Sequence, residues 1–267
     1  MSTATQNLTV TTRPWNTRGH ADHGWLHTYH TFSFASYYDA SYTSYGPLRV
    51  INEDRVAPSK GFGAHPHAEH LIWTYVVSGE LSHKDSLGNV ETLTRGDVQF
   101  TSAGTGVRHS EWNGHTEREV HFLQIWAKPS TKGLAPEYVT RRFEEAEKQD
   151  RLARIIDSVD RVGENADNAE GPIALHADLT MDTTVLSPGK KVVHDLVAKG
   201  PRKVYVHVVM KGRLQPKQGG SQIKIGDKVL GEGDGAFVEG AEGPGTVEIG
   251  NIGDSEAEVL VFDMGQK

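Results

Sequence analysis

The chain has 267 residues, 36% hydrophobic and 24% charged, with a formal net charge of −7 and an isoelectric point near 6.0. Such a composition belongs to a globular protein of one large or two ordinary domains, and without a basic stripe it offers nothing to attract nucleic-acid phosphates. There is no cysteine, which excludes disulfides, thiolate metal ligands and cysteine nucleophiles. No apolar segment approaches membrane length, and the polar start shows no export pattern. A cytoplasmic protein with neither a nucleic-acid nor a membrane partner is expected.

Residues 1–12 are Thr-rich and read as frayed, or at most an edge strand, with order beginning at Arg13-Pro14-Trp15. His20, His23, His27 and His30 follow, with Asp22 as the accompanying carboxylate. Their spacing fits neither a strand nor a helix ligand pair, so structural and hydrogen-bonding roles are expected. Phe32, Phe34, Tyr37, Tyr38, Tyr42 and Tyr45 read as core and rim packing. Gly46-Pro47 turns the chain, 48–52 reads as a strand, and 57–61 as a loop.

Two short motifs come next, His65-Pro66-His67 and His109-Ser110-Glu111. Side chains at i and i+2 of a strand share a face. His65 and His67 therefore aim into one space, with Pro66 turned away, and His109 and Glu111 do the same with Ser110 turned away. Two such strands facing each other inside a small barrel would gather three imidazoles and one carboxylate. Those ligands suit Fe, Ni, Co, Mn, Cu or Zn, and four of them leave two octahedral positions open. Either motif alone is a weak signal; their conjunction within strand-and-turn sequence carries the site. Residues 71–77 are β-branched and aromatic. Strands at 80–84 and 90–94 flank the turn 85–89, 95–97 turns again, and 98–101 leads into Gly104-Thr105-Gly106. Short strands at this spacing indicate a sandwich or barrel.

Residues 117–126 alternate and read as the strand closing the first barrel, and the Pro/Gly-rich segment 128–136 as a linker. Residues 141–157 are rich in helix formers, with Glu144 and Lys148 as an i,i+4 pair, and read as a helix. Residues 160–171 read as an acidic loop. Strands return at 173–177, 183–186, 191–196, 204–210, 222–225, 235–238, 245–249 and 256–262. The two halves share one rhythm. The expected organisation is an N-terminal metal-binding domain over 1–135 and a C-terminal domain without a metal site over 136–267. In the second half His176, His194 and His207 read as isolated, and Asp227, Glu232 and Asp234 as solvated turn residues.

The segments Gly63-Ala-His-Pro-His67, His83-Lys-Asp-Ser-Leu-Gly-Asn89, Arg95-Gly-Asp-Val-Gln-Phe100 and Ala103-Gly-Thr-Gly-Val-Arg-His-Ser-Glu111 resemble the pirin family of cupins, strongly over residues 13–142. Arg18-Gly-His-Ala-Asp-His-Gly-Trp25 and His30-Thr-Phe-Ser-Phe34 resemble its bacterial and fungal branch. The resemblance implies an all-β bicupin: two tandem jelly-roll-like cupin barrels with a short helical or irregular linker. It implies one divalent metal ion, usually Fe(II), held by His65, His67, His109 and Glu111. Many pirin-like sequences carry a Glu four positions after the second His; here Leu71 stands there, with Glu69 and His70 close by.

By the same resemblance the function is that of a quercetin 2,3-dioxygenase, which cleaves a flavonol-type enolic substrate with O2 and releases carbon monoxide. Glu111 would be a ligand at rest and the general base when substrate enters. The partners would be a small-molecule substrate and O2, and the chain a monomer. Trp73, Trp112, Phe62 and Phe100 are candidates for aromatic walls, or for core packing. The alternatives are a pirin-like metal-containing regulatory protein without turnover and another small-molecule cupin enzyme, such as a sugar isomerase.

Overall fold

The computed structural model describes residues 8–163, 171–197, 200–242 and 245–266. In chain order the strands are β1 (Thr9–Arg13), β2 (Gly19–Asp22), β3 (Leu26–His30), β4 (Leu48–Val56), β5 (Gly61–His67), β6 (Leu71–Ser78), β7 (Leu81–Asp85) and β8 (Val90–Leu93). Next come β9 (Asp97–Ser102), β10 (Val107–Trp112), β11 (Val120–Ala127) and β12 (Glu137–Arg142). Helix α1 (Glu145–Lys148), β13 (Ala153–Ser158), helix α2 (Val159–Val162) and β14 (Ile173–Leu175) follow. The rest is β15 (Leu179–Leu186), β16 (Lys191–Asp195), β17 (Pro201–Val208), β18 (Gln222–Ile225), β19 (Lys228–Gly231), β20 (Gly235–Glu242), β21 (Thr246–Asn251) and β22 (Ala257–Gly265). Among the described residues no helix is long and apolar enough to cross a membrane.

The chain forms two compact units that interleave in sequence: 18–144 with 158–177, and 1–17 with 145–157 and 178–267. A single cut between 135 and 136 does not describe them. β1 pairs along its length with β20, Val10 opposite Val238, which carries the start of the chain into the C-terminal unit. β12 stays with the first unit because it pairs with β9, Val139 opposite Phe100.

In the first unit a seven-stranded antiparallel sheet runs β12-β9-β6-β11-β4-β3-β2 and a four-stranded one runs β5-β10-β7-β8. One end of the interior is apolar, filled by Leu26, Val56, Val76, Leu81, Leu93, Val120 and Phe122. These residues come from both sheets, and their burial holds the sheets face to face.

The helix expected over 141–157 is not formed. Arg141 and Arg142 end β12, Glu145–Lys148 makes one helical turn, and Ala153–Ser158 is a strand paired with β15. Helix propensity is worth only tenths of a kcal/mol per residue. Complete burial of Ile155 and Ile156 in a hydrogen-bonded sheet outweighs it. Within the expected loop 160–171, α2 reaches Val162 with Ser158 as its N-cap, and 164–170 lie outside the described residues. Of residues 1–12, β1 is an edge strand and 1–7 lie outside the described residues.

In the second unit one sheet runs β1-β20-β17-β22-β15-β13 and another β16-β21-β18-β19. Valines, leucines and isoleucines such as Val206, Ile223, Leu230, Ile249 and Val261 fill its core. Two sequence readings change here. His194 is not isolated: Nδ1 lies 3.0 Å from Asp182 and Nε2 3.2 Å from Asp263, with all three side chains buried. Arg202 closes on Asp263 at 2.6 Å. Burial alone would lower the pKa of His194, but the bonds to Asp182 and Asp263 prevail and raise it to about 9. Glu232 is likewise buried rather than solvated, accepting from the Gly212 and Lys217 amides at 3.1 and 3.2 Å. Alternation in sequence gives no sign of such long-range polar pairing.

Candidate metal centre

The two sequence motifs lie on neighbouring strands of one sheet rather than on strands facing each other. β5 and β10 are antiparallel, with His109 directly opposite His65 and Val107 opposite His67. Cross-strand partners share a face, so His65, His67 and His109 converge. The register shifts between His109 and Glu111, so that Glu111 lies opposite Phe62. The strands can approach this closely because residue 61 is glycine: a Cβ there would lie 2.3 Å from the Glu111 carbonyl oxygen.

Ligand atoms of His65, His67 and His109 lie within 4.8 Å of one another. His65 Nδ1 donates to the Gly63 carbonyl at 2.7 Å, which leaves the lone pair on Nε2. That atom faces His109 Nε2 at 3.1 Å. Two nitrogens each about 2.1 Å from one ion, at right angles, stand about 3.0 Å apart, so the observed spacing fits a shared divalent ion. Two of the rings are held neutral, as ligation needs them to be. Burial, then the other histidines, lowers the pKa of His109 to about 3 and that of His67 to about 4.

Glu111 is buried, and Gln124 on β11 holds it. Gln124 Nε2 donates to both carboxylate oxygens, at 2.9 and 3.0 Å. The Thr74 hydroxyl donates to Gln124 Oε1 at 3.1 Å and lies 3.4 Å from Glu111 Oε1. Gln99, Thr74, Gln124, Asn52 and His30 are successive cross-strand partners over β9, β6, β11, β4 and β3. They make one buried polar row facing the ligand sheet. His30 Nδ1 donates to Asn52 Oδ1 at 2.8 Å. The neighbouring row holds Asp54, buried and raised to about pKa 7 by desolvation, with the Glu111 charge adding to the effect.

A cavity of about 410 Å³ opens beside His67, lined by Pro66, His67, Ala68, Ser86, Gly106, Val107 and Arg108. Trp126 stands edge-on to His67 at 4.8 Å and also meets Phe34 and His70. Of the expected aromatic walls, Trp73 and Phe100 are core residues, Phe62 packs on the apolar end, and Trp112 is exposed. Leu71 is buried, and Glu69 instead accepts from the Gly133 amide at 3.1 Å. In the early histidine group His30 joins the polar row, His20 stacks on Tyr29 and His27 lies 3.5 Å from Asp22. Sequence reasoning passed over Gln124, Thr74, Trp126 and His83; only the His83-x-Asp85 spacing, a strand-type pair like the two motifs, could have pointed to one of them.

Among solved structures, the crystal structure of YhhW from Escherichia coli superposes with a TM-score of 0.82 at 34% identity, covering 97% of this chain and 99% of that one. The crystal structure of the same bacterial pirin in complex with nickel(II) gives 0.81 at 35% identity, covering 97% and 100%. With two tandem β-barrels and a histidine–carboxylate cluster in the first, the chain is a bicupin. The Pirin family model matches residues 11–127 and that of the quercetinase C-terminal cupin domain residues 165–264. A quercetin 2,3-dioxygenase from Escherichia coli is 36% identical over 252 residues, 94% of this chain and 97% of that protein. The chain belongs to the pirin family.

Proposed function

We propose that this protein is a metal-dependent dioxygenase of the quercetin 2,3-dioxygenase type, acting on flavonol-like enolic substrates with O2. The observation that carries the reading is the convergence of His65, His67 and His109, with the 3.1 Å approach of two Nε2 atoms, beside a cavity of about 410 Å³. That volume lies in the range of small-molecule sites. The 36% identical quercetin 2,3-dioxygenase and the nickel-bound YhhW support it. The ion would be one divalent metal, Fe(II) by family and equally suited to Ni by its donor set.

A bound divalent ion supplies Lewis acidity toward an enolic hydroxyl and redox chemistry toward dioxygen. The protein does the rest. His65, His67 and His109 present nitrogen lone pairs. Glu111 accepts the hydroxyl proton at a carboxylate oxygen, while Gln124 keeps that carboxylate from turning away. Pro66, Ala68 and Val107 give the cavity an apolar wall for a planar ring, and Trp126 backs His67.

The test is oxygen uptake by Fe(II)-loaded protein given quercetin, with Glu111→Gln alongside. Uptake in the wild type and a loss of about 100-fold or more in the variant, which keeps bound metal, is the expected outcome. No uptake by metal-loaded wild type would overturn the dioxygenase reading. Equal rates in the two proteins would overturn the role of Glu111.

A further inference from the structure

Beside the first triad lies a second convergence that neither motif predicts. His83 on β7 stands opposite Glu111 on β10, and Asp85 opposite His109. The pair His83-x-Asp85 therefore shares the interior face with His109-x-Glu111. Ligand atoms of His83, His109 and Glu111 lie within 4.8 Å of one another. The three residues are only 1%, 2% and 3% exposed, whereas His65 and His67 are half-buried.

The hydrogen bonds around His83 prepare it as a ligand. Asp85 accepts from the Leu87 and Asn89 amides at 2.9 and 3.0 Å and from Asn89 Nδ2 at 2.8 Å. It is an acceptor throughout, so His83 Nε2, 3.4 Å from its Oδ2, is the nitrogen that carries a proton. His83 Nδ1 then holds the lone pair. It is buried and has no hydrogen-bond partner. Histidines that bind metal characteristically give their second ring nitrogen to a carboxylate or carbonyl. His83 does so with Asp85, as His65 does with the Gly63 carbonyl. Gln124 meets both Glu111 oxygens, but the buried lone pair of His83 is left without a donor, and one cation held between His83, His109 and Glu111 satisfies it.

We propose that His83, His109 and Glu111 form an inner position for a divalent transition-metal ion, overlapping the outer His65–His67–His109 position and sharing His109 with it. The inner set is the more deeply buried and retains the ion; the outer set is the face that admits it and presents it to substrate. The proposal rests on reading this barrel interior as a metal site, and the experiment separates the two.

Cobalt(II) binding is measured by calorimetry and visible absorption on the wild type, on H65A/H67A, on H65A/H67A/H83Q and on H109A, with circular dichroism of each. H65A/H67A removes only half-buried side chains and leaves the interior intact. It is expected to keep one cobalt ion with Kd raised roughly 10–100-fold, and adding H83Q to abolish that binding. H109A, which belongs to both positions, is expected to bind none. If H65A/H67A is as empty as H109A, or if H83Q changes nothing in that background, the inner position is overturned while the metal centre stands. Wild-type binding by H109A would instead overturn the centre itself. Should the triple variant fail to fold, the Cu(II) paramagnetic resonance spectrum of H65A/H67A decides: coupling to two ring nitrogens supports His83 and His109 as ligands, and coupling to one or none overturns it.

Discussion

Gln124 does what no single motif residue can do. Its one amide nitrogen reaches both oxygens of Glu111, and its own carbonyl is fixed by the Thr74 hydroxyl, so the amide cannot flip without losing that bond. Hydrogen bonds to a buried carboxylate are worth about 1.5–3 kcal/mol each, enough to decide which way the side chain turns. Gln124→Leu preserves approximate volume and removes the clamp. The expected result is a fall in kcat of about 10–100-fold with KM little changed, because Glu111 is misplaced while the cavity wall is not. A rise in KM alone, with kcat retained, would show that Gln124 serves binding rather than the position of the base.

At the scale of the strands, the site is a matter of register. The His65-x-His67 and His109-x-Glu111 pairs were legible because strand periodicity is local, and i,i+2 spacing states the shared face outright. That β5 and β10 are neighbours was not legible, nor was the contribution of His83, Gln124 and Thr74. Each depends on which strand lies beside which, and on the shift between His109 and Glu111. The 141–157 segment failed for a related reason: its helix formers are local, whereas the pairing of Ala153–Ser158 with β15 is not. The contact of β5 with β10 has its own test. Gly61→Ala would press a methyl group into the Glu111 carbonyl and the Trp112 Cα, 2.3 and 2.6 Å away. Separating the strands is expected to lower stability by about 1–3 kcal/mol and to weaken metal binding together with it. Denaturant unfolding and metal titration of the variant check both; a stable variant with weakened metal binding would place the effect in the site geometry alone.

Across the whole chain, each unit buries a group that binds protons more tightly folded than unfolded. In the unit that holds the candidate metal site it is Asp54, raised from 3.8 to about 7, mainly by desolvation. In the other it is His194, raised from 6.5 to about 9, where bonds to Asp182 and Asp263 overcome its burial. A raised folded pKa gives stability that is complete below the unfolded value and disappears as pH climbs through the folded one. Asp54 therefore withdraws stability between about pH 4 and 7, and His194 between about pH 6.5 and 9. Asp263 and Asp85 act in the opposite sense. Burial opposes their ionisation, but their hydrogen bonds hold both below 3.8, so stability is also lost in strong acid. His67 and His109, lowered by burial to about 4 and about 3, bind protons less tightly folded and oppose Asp54 below about pH 6.5. The protein should therefore be most stable near neutral pH and weaken toward alkali as His194 loses its proton. Each tenfold difference in proton affinity between the folded and unfolded chain is worth roughly 1.4 kcal/mol. Urea unfolding at pH 5, 7 and 9 reads this directly. Asp54→Asn should make stability rise more steeply from pH 5 to 7 than it does in the wild type, and His194→Gln should flatten the fall between pH 7 and 9, each leaving the other window unchanged. Parallel curves for wild type and both variants would show that neither group holds its proton more tightly in the folded chain.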